Sequence, residues 1–230
     1  MPDLKRIFQG VNPRKSLVIA FQTVVILFAL VGVGILVAIS RTVHDALNMF
    51  TFYTIQSNLL AAAALGLSLH ALVKNREDLV WLIVFKSGTV LWILVTGIVY
   101  HLLLAGRWNP TGLTAFASLA LHSLTPAGMV LNWLVFEKKG RYRFIFTLYW
   151  LSYPFLYMLF SWARGVLTGN FNYWFLNPSL PYPEGAGSLG AMLVIVAGLV
   201  LGFSLLGVLI ILVDKLLARG QHHPFHQGWQ

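Results

Sequence analysis

Hydroxyl and imidazole side chains are the groups with which this chain could make and break covalent bonds. The stretch FTFYTIQSNLL, Phe50 to Leu60, places Thr51, Thr54, Ser57 and Asn58 in an otherwise apolar run. On a helix of about 100° per residue, Thr51, Ser57 and Asn58 fall within about 60° of Thr54, and Gln56 points the other way. Further along, His122 has Ser118 at i−4 and Thr125 at i+3 on its face, and Pro126 follows to loosen the backbone ladder. Between them, Lys86, Thr89, Gly97, Tyr100 and, at the margin, His101 share a third face. A hydroxyl is a weak nucleophile until a neighbouring base takes its proton, and neutral histidine suits that task near pH 7. Thr54 as nucleophile and His122 as general base form the natural pair, provided their helices are neighbours. A third, orienting member would be neutral, with Asn58, Tyr100 or His101 as candidates, and Ser57 or Asn58 could stabilise an oxyanion.

The elements that must hold these residues are membrane helices. The chain has 230 residues, of which 58% are hydrophobic and 10% charged, against about 25% charged in a soluble domain; its mean hydropathy is +0.76. A helix crosses a hydrocarbon core of about 30 Å with about 20 apolar residues. Six such runs are expected, at about residues 17–39, 50–73, 79–105, 113–136, 142–162 and 188–213, as a single all-α transmembrane domain over residues 1–230 with no soluble domain. The first run is too long for the core of a signal peptide, about 7 to 15 residues, and is expected to be retained.

Most of the 16 basic residues sit in four places. Lys5, Arg6, Arg14 and Lys15 precede the first run, and Lys74 and Arg76 join the second to the third. Lys138, Lys139, Arg141 and Arg143 join the fourth to the fifth, and Lys215 and Arg219 follow the sixth. The positive-inside rule then predicts a multi-pass cell-membrane protein with both termini cytoplasmic. These loops would favour anionic inner-leaflet lipid, which accounts for the net charge of +9 without a nucleic-acid partner. With alternating direction and 1.5 Å per residue, Thr54 and His101 are expected about 6 Å, and His122 about 14 Å, below the outer ends of their helices. The outer connection FNYWFLNPSLPYPEG is aromatic and proline-rich and is suited to fold over such a site.

Each of these residues also has a structural reading. Serine and threonine in membrane helices bond their own i−4 carbonyl or a neighbouring helix. Lys86 has no acidic residue in any run to pair with and can snorkel towards the cytoplasm. Gly198 and Gly202, in a Gly-x-x-x-Gly motif, and Ala61 to Ala64 read as close-packing surfaces. Trp81, Trp108, Trp162 and Trp174 suit interfacial positions, and the tail HHPFHQGWQ reads as a solvated end. His122 differs, because an ionisable side chain deep in a membrane helix is by default a functional residue. The chain has no cysteine, so neither a disulfide framework nor a thiolate site is available, and no metal site or cofactor is expected.

The motifs FYTIQSNLL, VTGIVYHLLL (Val95 to Leu104), LHSLTPAGMVLNWLVFE and WFLNP, in this order between about Arg41 and Gly187, resemble a bacterial family of six-span membrane proteins. That family is related to the eukaryotic androgen-induced and androgen-dependent TFPI-regulating proteins, which hydrolyse fatty acid esters of hydroxy fatty acids with a threonine and an intramembrane histidine. The resemblance implies that Thr54 and His122 occupy those two roles. The eukaryotic enzymes carry a lysine shortly before the threonine, where this chain has Phe50, Thr51, Phe52 and Tyr53, and Thr51 competes with Thr54 for the role. A lipid-ester hydrolase acting on a membrane lipid is therefore expected. The alternatives are a non-catalytic lipid-binding or scaffolding protein, and a haem protein with His101 and His122 as axial ligands. Transport ranks lower, since no carboxylate in the runs offers a proton relay. Oligomeric state is open.

Overall fold

The computed structural model describes residues 13–107 and 109–220, and all regular structure among them is helical. The chain forms α1 (Pro13–Ala38), the short α2 (Val43–Met49), α3 (Tyr53–Val73), α4 (Val80–Val99), α5 (Gly112–Leu119), α6 (Thr125–Phe136), α7 (Phe146–Thr168) and α8 (Leu189–Gly220). One turn of π-helix, Tyr100–Leu104, prolongs α4, and another, Ala120–Leu124, joins α5 to α6 in one continuous rod. Five helical segments are long and apolar enough to cross a membrane: Arg14–Ala38, Tyr53–Val73, Val80–Leu104, Gly112–Phe136 and Leu189–Arg219. α7 has the length, at 23 residues, but Pro154, Arg164 and its tyrosines and serines dilute its apolar character. Lys5, Arg6, Trp108 and the histidine-rich tail lie outside the described residues.

The second run begins later than its hydropathy suggests. Thr42 caps α2 by accepting from the Asp45 N–H, and the chain then turns through Phe50 and Thr51 to an extended Phe52. α3 therefore starts at Tyr53, so Thr54 sits in the first helical turn and Thr51 lies off the helix that was expected to carry both.

Side-chain ties sort the connections to two ends. At one end Lys15 donates to Asn75, Lys138 to Glu77, and the Tyr142 N–H to Asp214, which joins all four basic segments. At the other, Arg164 reaches Asn48 and Asn172, and Asn172 donates to the Thr51 carbonyl. Successive long helices thus run antiparallel.

The core lies between α3, α4, α6 and α7, with Val25 of α1 and Ile210 and Ile211 of α8 packed into it. Trp92 Nε1 donates to the Trp150 carbonyl at 2.7 Å, and Trp150 Nε1 donates to the Val84 carbonyl at 3.1 Å, so the two indoles stitch α4 to α7 in both directions. Ala61 and Ala64 are fully buried, as close packing requires. Gly198 and Gly202 are not at a contact: a Cβ at either would meet nothing within 4 Å.

Lys86 departs from expectation. It is 5% exposed and does not snorkel: its Nζ lies 2.5 Å from Asp78, 3.0 Å from Ser68 Oγ and 3.6 Å from Glu137. Both carboxylates come from positions just outside the apolar runs and fold back over the bundle end. Glu137 also accepts from Asn132 Nδ2 and Tyr142 Oη, and Asn132 Oδ1 accepts from Gln22 of α1.

Candidate functional site

The opposite end brings the two expected residues together. Thr54 Oγ1 and His122 Nε2 are 3.4 Å apart, across α3 and the π-turn between α5 and α6. His122 Nδ1 faces the Ser118 carbonyl at 2.9 Å and Ser118 Oγ at 3.2 Å. A carbonyl can only accept, so a neutral His122 carries its proton on Nδ1, and the Nε2 lone pair is left facing the threonine hydroxyl. Tyr100 stacks flat on the imidazole, centroid to centroid 3.7 Å with planes at 11°, and its hydroxyl accepts from Ser118 Oγ at 2.8 Å. Neutral groups, Ser118 and Tyr100, thus fix the ring where many hydrolytic sites use a carboxylate.

Both π-turns lie here. Tyr100 and His101 belong to one and His122 to the other, and each widens the backbone ladder to i→i−5, as in Thr125 N–H to the Ala120 carbonyl. Such turns appear often at functional sites, and neither was legible in side-chain periodicity. Pro126 removes the N–H that would have bonded the His122 carbonyl. Gly97 allows that carbonyl to approach, since a Cβ there would stand 3.1 Å from it.

The remaining expected residues hold the frame. Ser57 donates to the Thr54 carbonyl and shares a 2.7 Å hydrogen bond with Thr96, and Asn58 Nδ2 donates to the carbonyls of Thr54 and Leu121. These donors are committed to backbone and to a neighbouring hydroxyl, so Ser57 ties α3 to α4 and Asn58 ties α3 to the π-turn instead of lining an oxyanion site. Thr51 Oγ1 donates to the Asn48 carbonyl and lies 3.3 Å from Asn172 Oδ1, which leaves Thr54 as the threonine at the imidazole. His101 is exposed and pairs with Ser123 at 3.0 Å. Both His122 nitrogens are engaged, so the two histidines do not present a pair of free axial ligands. Thr125 is fully buried and its hydroxyl has no partner among the described residues.

A cavity of about 420 Å³ opens beside Thr54. Its walls are apolar and come from α4, α7, α8 and the outer connection, with Val95, Met158, Phe203 and Phe175 among them; Thr54 and Thr96 stand at its polar edge. The polar cluster lies among α3, α4, α5 and α6 as expected, but the cavity lies on the other side of Thr54. Leu148, Phe155 and Val200 at its mouth are 43–65% exposed, so it opens sideways between α7 and α8.

Two tyrosines complete the site and escaped the sequence reading. Tyr173, in the outer connection, lines the cavity together with Thr54, and its ring stands edge-on to Phe52 and to Tyr157 of α7. Burial pushes the Tyr173 phenol well above its ordinary range, so it stays a neutral donor. Tyr157 Oη donates to the Thr51 carbonyl at 3.0 Å. The signal that bore on them was the aromatic outer connection, which does close over the cavity through Phe175 and Leu176, both buried.

Scans against protein-family models, curated proteins and solved structures return no match to this chain.

Proposed function

We propose that this protein is a membrane-embedded lipid-ester hydrolase in which Thr54 is the nucleophile and His122 the general base. The observation that carries the reading is the orientation of His122: its Nδ1 faces a carbonyl, and its Nε2 faces Thr54 at 3.4 Å beside an apolar cavity. In the first step Thr54 Oγ1 attacks the ester carbonyl carbon while Nε2 takes the hydroxyl proton. The tetrahedral oxyanion forms near the Tyr173 hydroxyl and the first turn of α3, whose positive dipole end favours negative charge. Collapse expels the alcohol, which takes the proton from Nε2–H and leaves acyl-Thr54. Water, deprotonated by Nε2, then releases the carboxylic acid and regenerates the hydroxyl.

The bilayer frame belongs to the same proposal. α7 completes the six as the fifth span in chain order: 23 residues reach about 34 Å, and its outward face carries Phe155, Leu156, Leu159 and Leu167, all exposed. Six spans place both termini on one side, and the basic segments gathered at one end of the bundle make that side cytoplasmic in a cell membrane. Thr54 then lies in the outer half, and the cavity mouth opens to the acyl chains of the outer leaflet. Fatty-acyl esters, including those of hydroxy fatty acids, are the substrate class implied by the resemblance of FYTIQSNLL and LHSLTPAGMVLNWLVFE. The basic loops meet anionic lipid of the inner leaflet.

Purified protein offered a panel of lipid esters tests the reading. Turnover by the wild type and its loss in Thr54→Ala and His122→Ala, at matched thermal stability, is expected. The apolar cavity by itself would also serve a non-catalytic lipid-binding protein. That second reading takes over if acyl chains bind in the cavity and no ester is cleaved.

A further inference from the structure

The end of the bundle remote from Thr54 holds a second recess, of about 260 Å³, between α1, the ends of α3 and α6, and the start of α4. Its chemistry changes with depth. Inside are Lys86, Asp78, Glu137 and Gln22, two carboxylates against one ammonium. Arg76, Lys138 and Arg141 lie at the rim with Glu77, an excess of positive charge.

Gln22 is what points to a ligand. It is 3% exposed, its Nε2 donates to Asn132 Oδ1 at 2.8 Å, and its Oε1 has no hydrogen-bond partner among the described residues. A buried acceptor left empty costs more than the bond it would make returns. Asn132 donates to Glu137, and Glu137 stands in ion-pair range of Lys86 at 3.6 Å, so the unpartnered acceptor is part of a built network and not an isolated side chain.

A group that meets Gln22 Oε1 must donate hydrogen bonds, and the net charge around it favours a cation. The rim favours an anion a few ångströms further out. A primary ammonium, with three N–H donors, joined to a phosphate satisfies both. The recess is also walled by Val18, Leu72, Ile83 and Phe136, and the adjacent Leu17 of α1 is exposed on the surface assigned to lipid.

We propose that this recess binds the headgroup of a phosphoethanolamine lipid, with the ammonium inside at Gln22 and Glu137 and the phosphate at Arg141 and Lys138. The site is independent of the hydrolytic reading, and only its assignment to the inner leaflet rests on the orientation proposed above. Choline lipids carry the same charges but no N–H donor, so they separate hydrogen bonding from electrostatics.

Native mass spectrometry of the full-length protein tests this with dioleoyl phosphatidylethanolamine, phosphatidylcholine and phosphatidylglycerol, and with soluble phosphoethanolamine. Retention of the ethanolamine lipid about tenfold over the choline lipid is expected, the factor that one charge-assisted hydrogen bond supplies. Gln22→Leu should collapse that ratio, and Arg141→Gln should weaken both lipids together. Equal or better retention of phosphatidylglycerol would reduce the site to a basic rim and overturn the proposal. So would an unchanged ratio in Gln22→Leu, or binding of soluble phosphoethanolamine without any lipid preference. The wild-type ratios decide the matter even if a variant fails to fold.

Discussion

Catalysis in this account depends on one tautomer. His122 is held from behind by a backbone carbonyl, so replacing Ser118 by alanine removes the hydroxyl but leaves the acceptor that fixes the Nδ1 proton. Ser118→Ala should therefore lower kcat by no more than about tenfold, roughly one neutral hydrogen bond, with KM unchanged. Thr54→Ser keeps an attacking oxygen and should retain measurable turnover where Thr54→Ala retains none; undiminished turnover in Thr54→Ala would remove Thr54 from the chemistry. The pairing of Thr54 with His122 was legible because i, i+3 and i+4 spacings put hydroxyls and imidazole on defined helix faces. Thr51 was misplaced because periodicity runs through a helix start without marking it, and the extended Phe52 breaks the register.

At the scale of elements, the site depends on two helices whose winding loosens where they meet. Gly97 of α4 lets the His122 carbonyl approach, and a methyl there would stand 3.1 Å from that oxygen and 3.4 Å from Pro126 Cβ. Gly97→Ala is expected to cost about 1–3 kcal/mol of stability as an overpacked contact. It should also reduce turnover by shifting His122 away from Thr54. Thermal unfolding beside kcat checks this, and a variant as stable and active as the wild type would show that the approach does not matter. The long apolar elements were legible from hydropathy to within a few residues at most of their ends. The π-turns were not, because they change which backbone groups bond and leave the side-chain pattern nearly intact. Tyr157 and Tyr173 were hidden for another reason: they come to Thr51 and to the cavity beside Thr54 from more than a hundred residues further along the chain, Tyr157 on a helix whose polar content blurs its apolar signal and Tyr173 in the connection after it.

The whole molecule separates two kinds of polarity, one at each end. Lys86, Asp78 and Glu137 close the end that gathers the basic segments, and their pairing was missed because carboxylates were sought only inside the apolar runs. Removing the ammonium leaves two partly buried carboxylates facing each other. Lys86→Ala is expected to destabilise the protein by about 3–5 kcal/mol, measured as a lowered unfolding midpoint in detergent; a variant of wild-type stability would mean that the charges are hydrated. Orientation in the bilayer is testable with unusual directness, because the chain has no cysteine of its own. Single cysteines at Lys74 and Asn170, both exposed in connections at opposite ends, should react with an impermeant thiol reagent from opposite sides. Lys74→Cys labelled from outside intact cells would invert the proposed topology.

The most direct test of the central claim is single-turnover hydrolysis of a fatty-acyl ester by purified protein, with intact-mass detection of the trapped intermediate. An acyl adduct on Thr54 is expected to form in the wild type, to be absent in Thr54→Ala, and to fail to form at a comparable rate in His122→Ala of equal stability. Ester cleavage without an adduct that depends on Thr54, or no cleavage of any ester by folded protein, would contradict it.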